Sequence, residues 1–337
     1  MKIIILIILI FINSLEAKDY RKNKKTVEFI NFMVKEHNYK RSYLNRLFSN
    51  VIVQKTPLKA YTKVKTKPTK QMRERYPLHG AWDRYVKYKV TDKRINDGIS
   101  FLNKYSSTFV KVEQTYGVPA VYIAAIIGIE SVYGANVGKY PVFDTLATLA
   151  FEDNRRNKFF TKELEKFIRL SYKHKINPKK VKGSYAGAIG LGQFMPSSYE
   201  AYGVDFNKDG KVSLQDPKDA IASVANYLDK NGWRTDEHVA TRVSYDGMRF
   251  DKYKTGYNRT YHRKNLKGIR PKDRKWNYND KVRLIKLSKS NYDELWYAAK
   301  NFYVITRYNH SAYYAMSVHQ LAQKISKRSK LEYQAKK

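Results

Sequence analysis

The stretch Tyr116–Gly134, YGVPAVYIAAIIGIESVYG, contains a single acid, Glu130. Ile123, Ile126, Ile127 and Glu130 follow at helical spacing, which predicts a helix face of three isoleucines ending in a carboxylate. Pro119 suits the first helical turn and Gly134 its stop. Apolar surroundings disfavour the charged form of a carboxyl, so its pKa should rise. A carboxyl still protonated near neutral pH can donate a proton. The competing reading is a partly exposed acid at a frayed helix end, with no chemistry attached.

Residue content removes several other chemistries. The chain has no cysteine, which excludes disulfides, a thiolate nucleophile and thiolate zinc sites. The segment Lys182–Tyr199, KGSYAGAIGLGQFMPSSY, carries Gly183, Gly187, Gly190 and Gly192, which let the backbone approach something closely. It is not a dinucleotide fingerprint, because GAIGLGQ lacks the required spacing and no strand precedes it. A phosphate loop is absent too.

DFNKDGKVSLQD, Asp205–Asp216, has the pattern of a calcium loop. Asp205, Asn207 and Asp209 stand where side-chain oxygens are needed, Gly210 allows the sharp turn, and Lys211 can offer its carbonyl. Asp216 replaces the bidentate Glu expected last, and its shorter side chain leaves two readings. Either an ion is held, with Asp219 one turn further on, or the segment is an Asp/Asn/Gly turn without one.

The elements that must position these groups are largely helical. A length of 337 residues suggests about two domains. Apolar periodicity predicts two short helices within 27–49, broken near Asn38. Further helices are expected at Trp82–Tyr88, Ile95–Tyr116, Phe143–Phe151, Arg155–Lys175 and Ile221–Trp233. Residues 54–80, rich in Lys, Thr and Pro, read as a basic connection over the surface. From 239 to 288 the texture weakens and VRLIKLS alternates like a strand, suggesting a small β-rich insertion. Asn301–Lys324 reads as aromatic loops leading into a helix.

Lys and Arg number 66 against 30 Asp and Glu, a net charge of +36 that favours an anionic partner without choosing one. Met1–Ala17 reads as an export signal, with Lys2, an apolar run Ile3–Ile12 and a small residue at its end. That run is too short for a comfortable membrane span, so membrane contact is expected only if the segment is retained. Export and the lack of any basic-aromatic module argue against nucleic acid.

Four stretches in order, IGIESVYG, GSYAGAIGLGQFMPSSY, DFNKDGKVSLQDPKDAIASVANYL and ITRYNHSAYYA, resemble the membrane-bound lytic murein transglycosylase B family. This lysozyme-like glycoside hydrolase family implies a mainly α fold: a lysozyme-like helical core, a helical N-terminal subdomain and a small β-rich insertion. The expected division is a signal peptide 1–17, an N-terminal subdomain 18–104 and a catalytic core 105–236 containing the calcium-type loop 205–219. The insertion 237–293 and a return with a basic tail, 294–337, complete it. The implied activity is non-hydrolytic cleavage of the β-1,4 bond between N-acetylmuramic acid and N-acetylglucosamine in peptidoglycan. Carried over residue by residue, Glu130 would be the single catalytic acid/base. Ser184, Gln193, Tyr227, Tyr308, Asn309 and Tyr314 would line the glycan groove, with Tyr85, Arg155 and Arg156 as peripheral contacts. Asp205, Asn207, Asp209, the Lys211 carbonyl and Asp219 would hold a structural calcium ion, and no cofactor enters the chemistry.

Ordinary glycosidases need two carboxylates. A transglycosylase needs one, because the sugar's own 6-hydroxyl attacks to give a 1,6-anhydro end. Asp144 and Glu152 are the candidates for a second carboxylate that would turn the enzyme into a hydrolytic muramidase. A non-catalytic wall-binding protein is the alternative from another class. The expected partner is the peptidoglycan strand, with wall-synthesis or remodelling complexes as protein partners, and the expected location is the periplasm or envelope of a Gram-negative-type bacterium.

Overall fold

The computed structural model describes residues 17–62, 78–247 and 250–335. The expected export segment, except Ala17, and residues 63–77 of the basic connection lie outside the described residues. Thirteen α-helices occur among the described residues. In chain order they are α1 (Lys24–His37), α2 (Arg41–Phe48), α3 (Lys55–Thr62), α4 (Ala81–Lys89), α5 (Asp92–Lys104) and α6 (Ser106–Tyr116). Then follow α7 (Ala120–Ser131), α8 (Val142–Phe151), α9 (Asn157–Lys173), α10 (Pro196–Tyr202), α11 (Pro217–Lys230), α12 (Lys300–Tyr308) and α13 (Ala312–Ala335). The break expected near Asn38 is that residue itself, in the left-handed region with φ 56° and capping α1.

The chain forms two compact units that interleave in sequence, one of 1–64 with 139–187 and the other of 65–138 with 188–337. This differs from the consecutive division expected, in which 105–236 was one core. The reason lies in α8, all ten of whose residues are buried. A helix buried on every side needs partners all round. In the first unit it takes α9, and Phe143 and Phe151 pack on Phe48, with ring centroids 5.2 and 5.8 Å apart. Short antiparallel pairs, β1 (Ala17–Lys18) with β2 (Val51–Ile52) and β3 (Tyr140–Pro141) with β4 (Lys182–Gly183), tie its strands of chain together. The expected surface connection contains a helix, α3, whose Pro57 is buried.

In the second unit α7 is the central helix, packed by α13, α5, α11 and α6. Every residue from Tyr122 to Ile129 is buried. The single isoleucine face expected from spacing is therefore a whole buried cylinder, because partners surround it. Among the described residues no single helix is long and apolar enough to cross a membrane. The β-rich insertion is a four-stranded antiparallel sheet in the order β6-β5-β8-β7. Its strands are β5 (Ala240–Tyr245), β6 (Ile269–Pro271), β7 (Arg283–Ser288) and β8 (Asp293–Ala298). The last strand runs beyond the boundary expected at 293, since Leu295 and Tyr297 fill the core under the sheet with Val243, Trp276 and Leu284. The aromatic run after Asn301 is helix, break, helix rather than loop and helix. Asn309 ends α12 in an extended conformation, and Ser311 Oγ accepts the Tyr314 N–H at 3.2 Å in the first turn of α13.

Candidate active site

Pro119 is the cap of α7 rather than its first helical residue, and the helix ends at Ser131, not near Gly134. Glu130 sits in this last turn and is half-buried, the first residue after Tyr122 to reach the surface of the unit. The Tyr314 hydroxyl, from α13, donates to Glu130 Oε1 at 2.7 Å. Burial pushes the Glu130 carboxyl up to about 7, while the Tyr314 hydrogen bond and the Lys89 charge oppose the rise. Desolvation wins, and no neighbouring carboxylate adds to it. Lys89, at the end of α4, has no signal of its own in the sequence; only the packing of α4 brings it to bear on Glu130.

The backbone just after Glu130 is unusual. Val132, Tyr133 and Gly134 have φ of 53°, 57° and 95°. A β-branched residue in this region is strained, and the strain persists only where surroundings over-determine it. Here the determinant is the Tyr133 ring. A Cβ on Gly128 would lie 2.5 Å from Tyr133 Cζ, and one on Gly98 would lie 2.5 Å from its hydroxyl oxygen. The ring thus occupies a slot that two glycines leave between α7 and α5, and its hydroxyl donates to the Arg94 carbonyl at 2.9 Å. Ser131 Oγ adds a second tie, donating to the Ile127 carbonyl at 3.2 Å and accepting the Gly134 N–H at 3.0 Å. The turn that ends the helix therefore fixes Glu130.

Around the acid stands an aromatic wall. Tyr308 and Tyr314 stack at 6.4 Å with 10° between planes, and Tyr227 meets Tyr308 edge-on at 4.8 Å. The Tyr227 hydroxyl donates to the Arg307 carbonyl at 2.6 Å and that of Tyr308 to the Gly192 carbonyl. Both hydroxyls are thus committed, and the ring faces are what these residues present. Gln193, with φ 51°, donates through Nε2 to the Val137 and Gly190 carbonyls at 3.0 and 2.8 Å. Its amide oxygen keeps its acceptor capacity. Gly190 permits this turn, since a Cβ there would lie 2.3 Å from the Leu214 carbonyl. Tyr85 packs in a cluster with Trp82 and Tyr313, and Asn309 is exposed between α12 and α13.

Glu130, Gln193, Tyr227, Tyr308, Asn309, Tyr314 and Tyr85 all belong to the second unit, whereas Ser184, Arg155 and Arg156 belong to the first. Ser184 Oγ accepts the Ala186 N–H at 3.3 Å in the glycine-dense turn. Arg155 lies 5.9 Å from the Tyr61 ring and Arg156 3.9 Å from that of Phe159. The two carboxylates weighed as partners for Glu130 also belong to the first unit. Asp144 pairs with Lys179 at 2.8 Å, and Glu152 with Lys18 at 2.7 Å and with the Tyr20 hydroxyl. Both have structural employment.

In the calcium-type loop, Asp205 Oδ2 accepts the Gly210 N–H at 2.9 Å and Asp209 Oδ1 the Lys211 N–H at 2.9 Å. Lys208 and Gly210 take φ of 59° and 85°. Asp219 is wholly buried, accepts N–H groups of Phe206, Asn207 and Ser213, and has its pKa raised by that burial. Asp216 caps α11 through the Lys218 N–H at 2.7 Å, which explains why a short acid stands there. Among the described residues no three acidic or histidine side chains converge on one point. Two of the five expected ligands are amide and carbonyl oxygens.

Residues 21–323 match the transglycosylase SLT domain family. This chain belongs to that family. It is 37% identical over 310 residues to membrane-bound lytic murein transglycosylase B of Escherichia coli, a match covering 91% of this chain and 84% of that one. Two structures of the E. coli lytic transglycosylase Slt35, in complex with bulgecin A and with calcium, each align with a TM-score of 0.82 and 36% identity, covering 93% of this chain and 96% of theirs. The soluble lytic transglycosylase SltB1 of Pseudomonas aeruginosa aligns at 0.80 and 36%, covering 90% and 99%. The fold is the mainly α, lysozyme-like one expected.

The raised Glu130 pKa makes stability depend on pH. Between about 4.5 and 7 the folded protein holds a proton that the unfolded chain has released, so stability falls as pH rises through that window. Glu130→Gln should raise the melting temperature at about pH 8, by the equivalent of up to roughly 3 kcal/mol, and change little at about pH 4. A gain equal at both pH values would contradict the assignment. Gly128→Ala displaces the Tyr133 ring and opens the helix end to water. The Glu130 pKa, followed by carboxyl carbon NMR, should then fall by about one unit or more towards its ordinary value.

Proposed function

We propose that this chain is a peptidoglycan lytic transglycosylase in which Glu130 acts alone, first as acid and then as base. The observation that carries the reading is a half-buried carboxyl, protonated up to about pH 7, beside an aromatic wall. With Oε1 engaged by Tyr314, Oε2 carries the proton. It passes to the oxygen of the β-1,4 bond between N-acetylmuramic acid and N-acetylglucosamine as that oxygen leaves C1. The 2-acetamido group steadies the developing positive centre. The carboxylate then takes the proton of the same sugar's 6-hydroxyl as its oxygen bonds to C1. One C–O bond breaks, one forms, and no water is consumed. The product ends in 1,6-anhydro-N-acetylmuramic acid.

A hydrolytic muramidase would need a second carboxylate at a water's distance from Glu130. Asp144 and Glu152, already paired with lysines, give that alternative no support. The substrate contacts we propose in the second unit are Tyr227 and Tyr308 through ring faces, Gln193 through its amide oxygen, Tyr314 beside the acid, Asn309 and Tyr85; from the first unit we propose Ser184, Arg155 and Arg156, on the resemblance alone. A murein enzyme works in the bacterial envelope, and export by Met1–Ala17 is the proposed route there.

We also assign a structural calcium ion to Asp205, Asn207, Asp209, the Lys211 carbonyl and Asp219. The donor set is all oxygen, as a hard cation requires. The relative Slt35 has been solved in complex with calcium. When bound, the ion would neutralise the buried Asp219 charge at the first turn of α11, with no part in the chemistry.

Two measurements test these readings. Digested sacculi should yield anhydro muropeptides by mass spectrometry, and Glu130→Gln should lose activity by about a thousandfold or more while staying folded. Reducing ends, or near-normal lysis by the variant, would refute the mechanism. Millimolar calcium should raise the melting temperature over a chelator control, and Asp219→Ala should abolish that difference. Identical melting curves would leave a turn without an ion.

A further inference from the structure

The first unit carries a cavity of about 710 Å³ between α2 and the turn that ends α9, which the proposed mechanism does not use. All its lining residues lie within 43–47 and 171–179, whereas Glu130 belongs to the second unit. Leu47, Ile176 and Pro178 give the cavity an apolar side. Tyr43 and Tyr172 also line it, meeting edge-on with ring centroids 5.6 Å apart. Tyr172 is 61% exposed, so its ring is open to a ligand rather than sealed in a core.

Three cations line the cavity, Arg46, Lys175 and Lys179, and no carboxylate does. Lys179 is already employed, pairing with Asp144 at 2.8 Å and donating to the Asn50 carbonyl at 2.8 Å. Arg46 and Lys175 form no ion pair among the described residues. In a chain of net charge +36 an unpaired cation is ordinary, but these two flank one apolar cavity from different elements. Arg46 follows Tyr43 by three residues on α2, which puts both on one face. Burial raises the Tyr43 pKa and the Arg46 charge opposes the rise, so the guanidinium stands near that hydroxyl. Lys175, with φ 54°, turns the chain at the end of α9. There the Leu170, Ser171 and Tyr172 carbonyls accept the N–H groups of His174, Ile176 and Lys175 at 3.0, 2.8 and 3.2 Å. Those carbonyls are therefore not left bare to repel an anion.

We propose that this cavity binds the carboxylates of an acidic peptide, and that its natural ligand is the peptide portion of peptidoglycan. The Arg46 guanidinium and the Lys175 ammonium supply charge-assisted donors, and aliphatic peptide carbons pack on the Tyr172 ring and Ile176. In intact peptidoglycan the sugars are N-acetylated, and the lactyl carboxylate is spent in the amide that joins the peptide. The glycan is therefore uncharged, and only the peptides, with their free carboxylates, complement two cations. That the ligand is a wall peptide rests on the proposed function; a carboxylate ligand rests on the cavity alone. Such a site gives the enzyme a hold on peptide-bearing strands and none on bare glycan.

The test is isothermal titration of the full-length Glu130→Gln protein with N-acetylated Ala-Glu-Ala-Ala, its side-chain and terminal carboxylates free. At low salt this peptide should bind with a Kd of about 1 mM or tighter. Arg46→Gln, Lys175→Gln and Tyr172→Ala should each weaken that Kd at least about threefold. The first two should keep the melting temperature, because both side chains are exposed. Lys111→Gln, which removes an exposed cation of the second unit, should leave the Kd unchanged. Equal weakening by Lys111→Gln would reduce the effect to net charge and overturn the site. A fully amidated peptide that binds as well, or inorganic phosphate that competes at the same concentration, overturns it too, as does no binding at about 10 mM peptide. Binding is read without cleavage, so peptide binding by a protein whose wild type yields no anhydro products would overturn the wall assignment alone.

Discussion

Desolvation of one carboxyl is the constraint on which the second unit turns. A charge at the end of a helix buried from Tyr122 to Ile129 has little water to stabilise it, so its proton is held to about pH 7. The Tyr314 hydroxyl and Lys89 pull the other way and limit the shift. A carboxyl free of both would hold its proton more tightly and return it less readily. The balance between burial and these two groups sets a pKa from which both proton loss and proton gain are accessible.

Such a balance requires a fixed helix end. Val132 and Tyr133 accept left-handed backbone, a conformation that costs of order 1–3 kcal/mol per residue, because the Tyr133 ring fills the slot beside Gly98 and Gly128. The glycines are needed there for lack of a side chain, while Gly134 simply continues the turn. Further out, the calcium-type loop leads into α11 through the Asp216 cap and buried Asp219. Tyr227 lies two turns along the same helix. The loop and the aromatic wall thus share one helix.

The tyrosines show how one residue type serves two ends. Tyr227 and Tyr308 spend their hydroxyls on backbone carbonyls and keep their faces, whereas Tyr314 turns its hydroxyl to the acid. Trp276 does the reverse, its ring packed against His238 and Tyr278 in the core under the sheet. Aromatic abundance in this chain is thus partitioned between a wall around a proton donor and the core under the sheet.

Much of this was legible in the sequence, because it depends on local order. The helices around Phe143–Phe151 and Ile221–Trp233, the break at Asn38, the alternating strand in VRLIKLS and the calcium-like spacing are properties of neighbours along the chain. So was the singling out of Glu130, a lone acid in an apolar run. Side-chain spacing could not say that α7 is buried on all sides, that 139–187 folds with the N-terminal helices, or that Asn301–Tyr308 is helical. Nor could it find the Tyr133 slot or the influence of Lys89. Those depend on contacts between residues far apart in sequence, where burial, and with it pKa, is decided only when the elements pack.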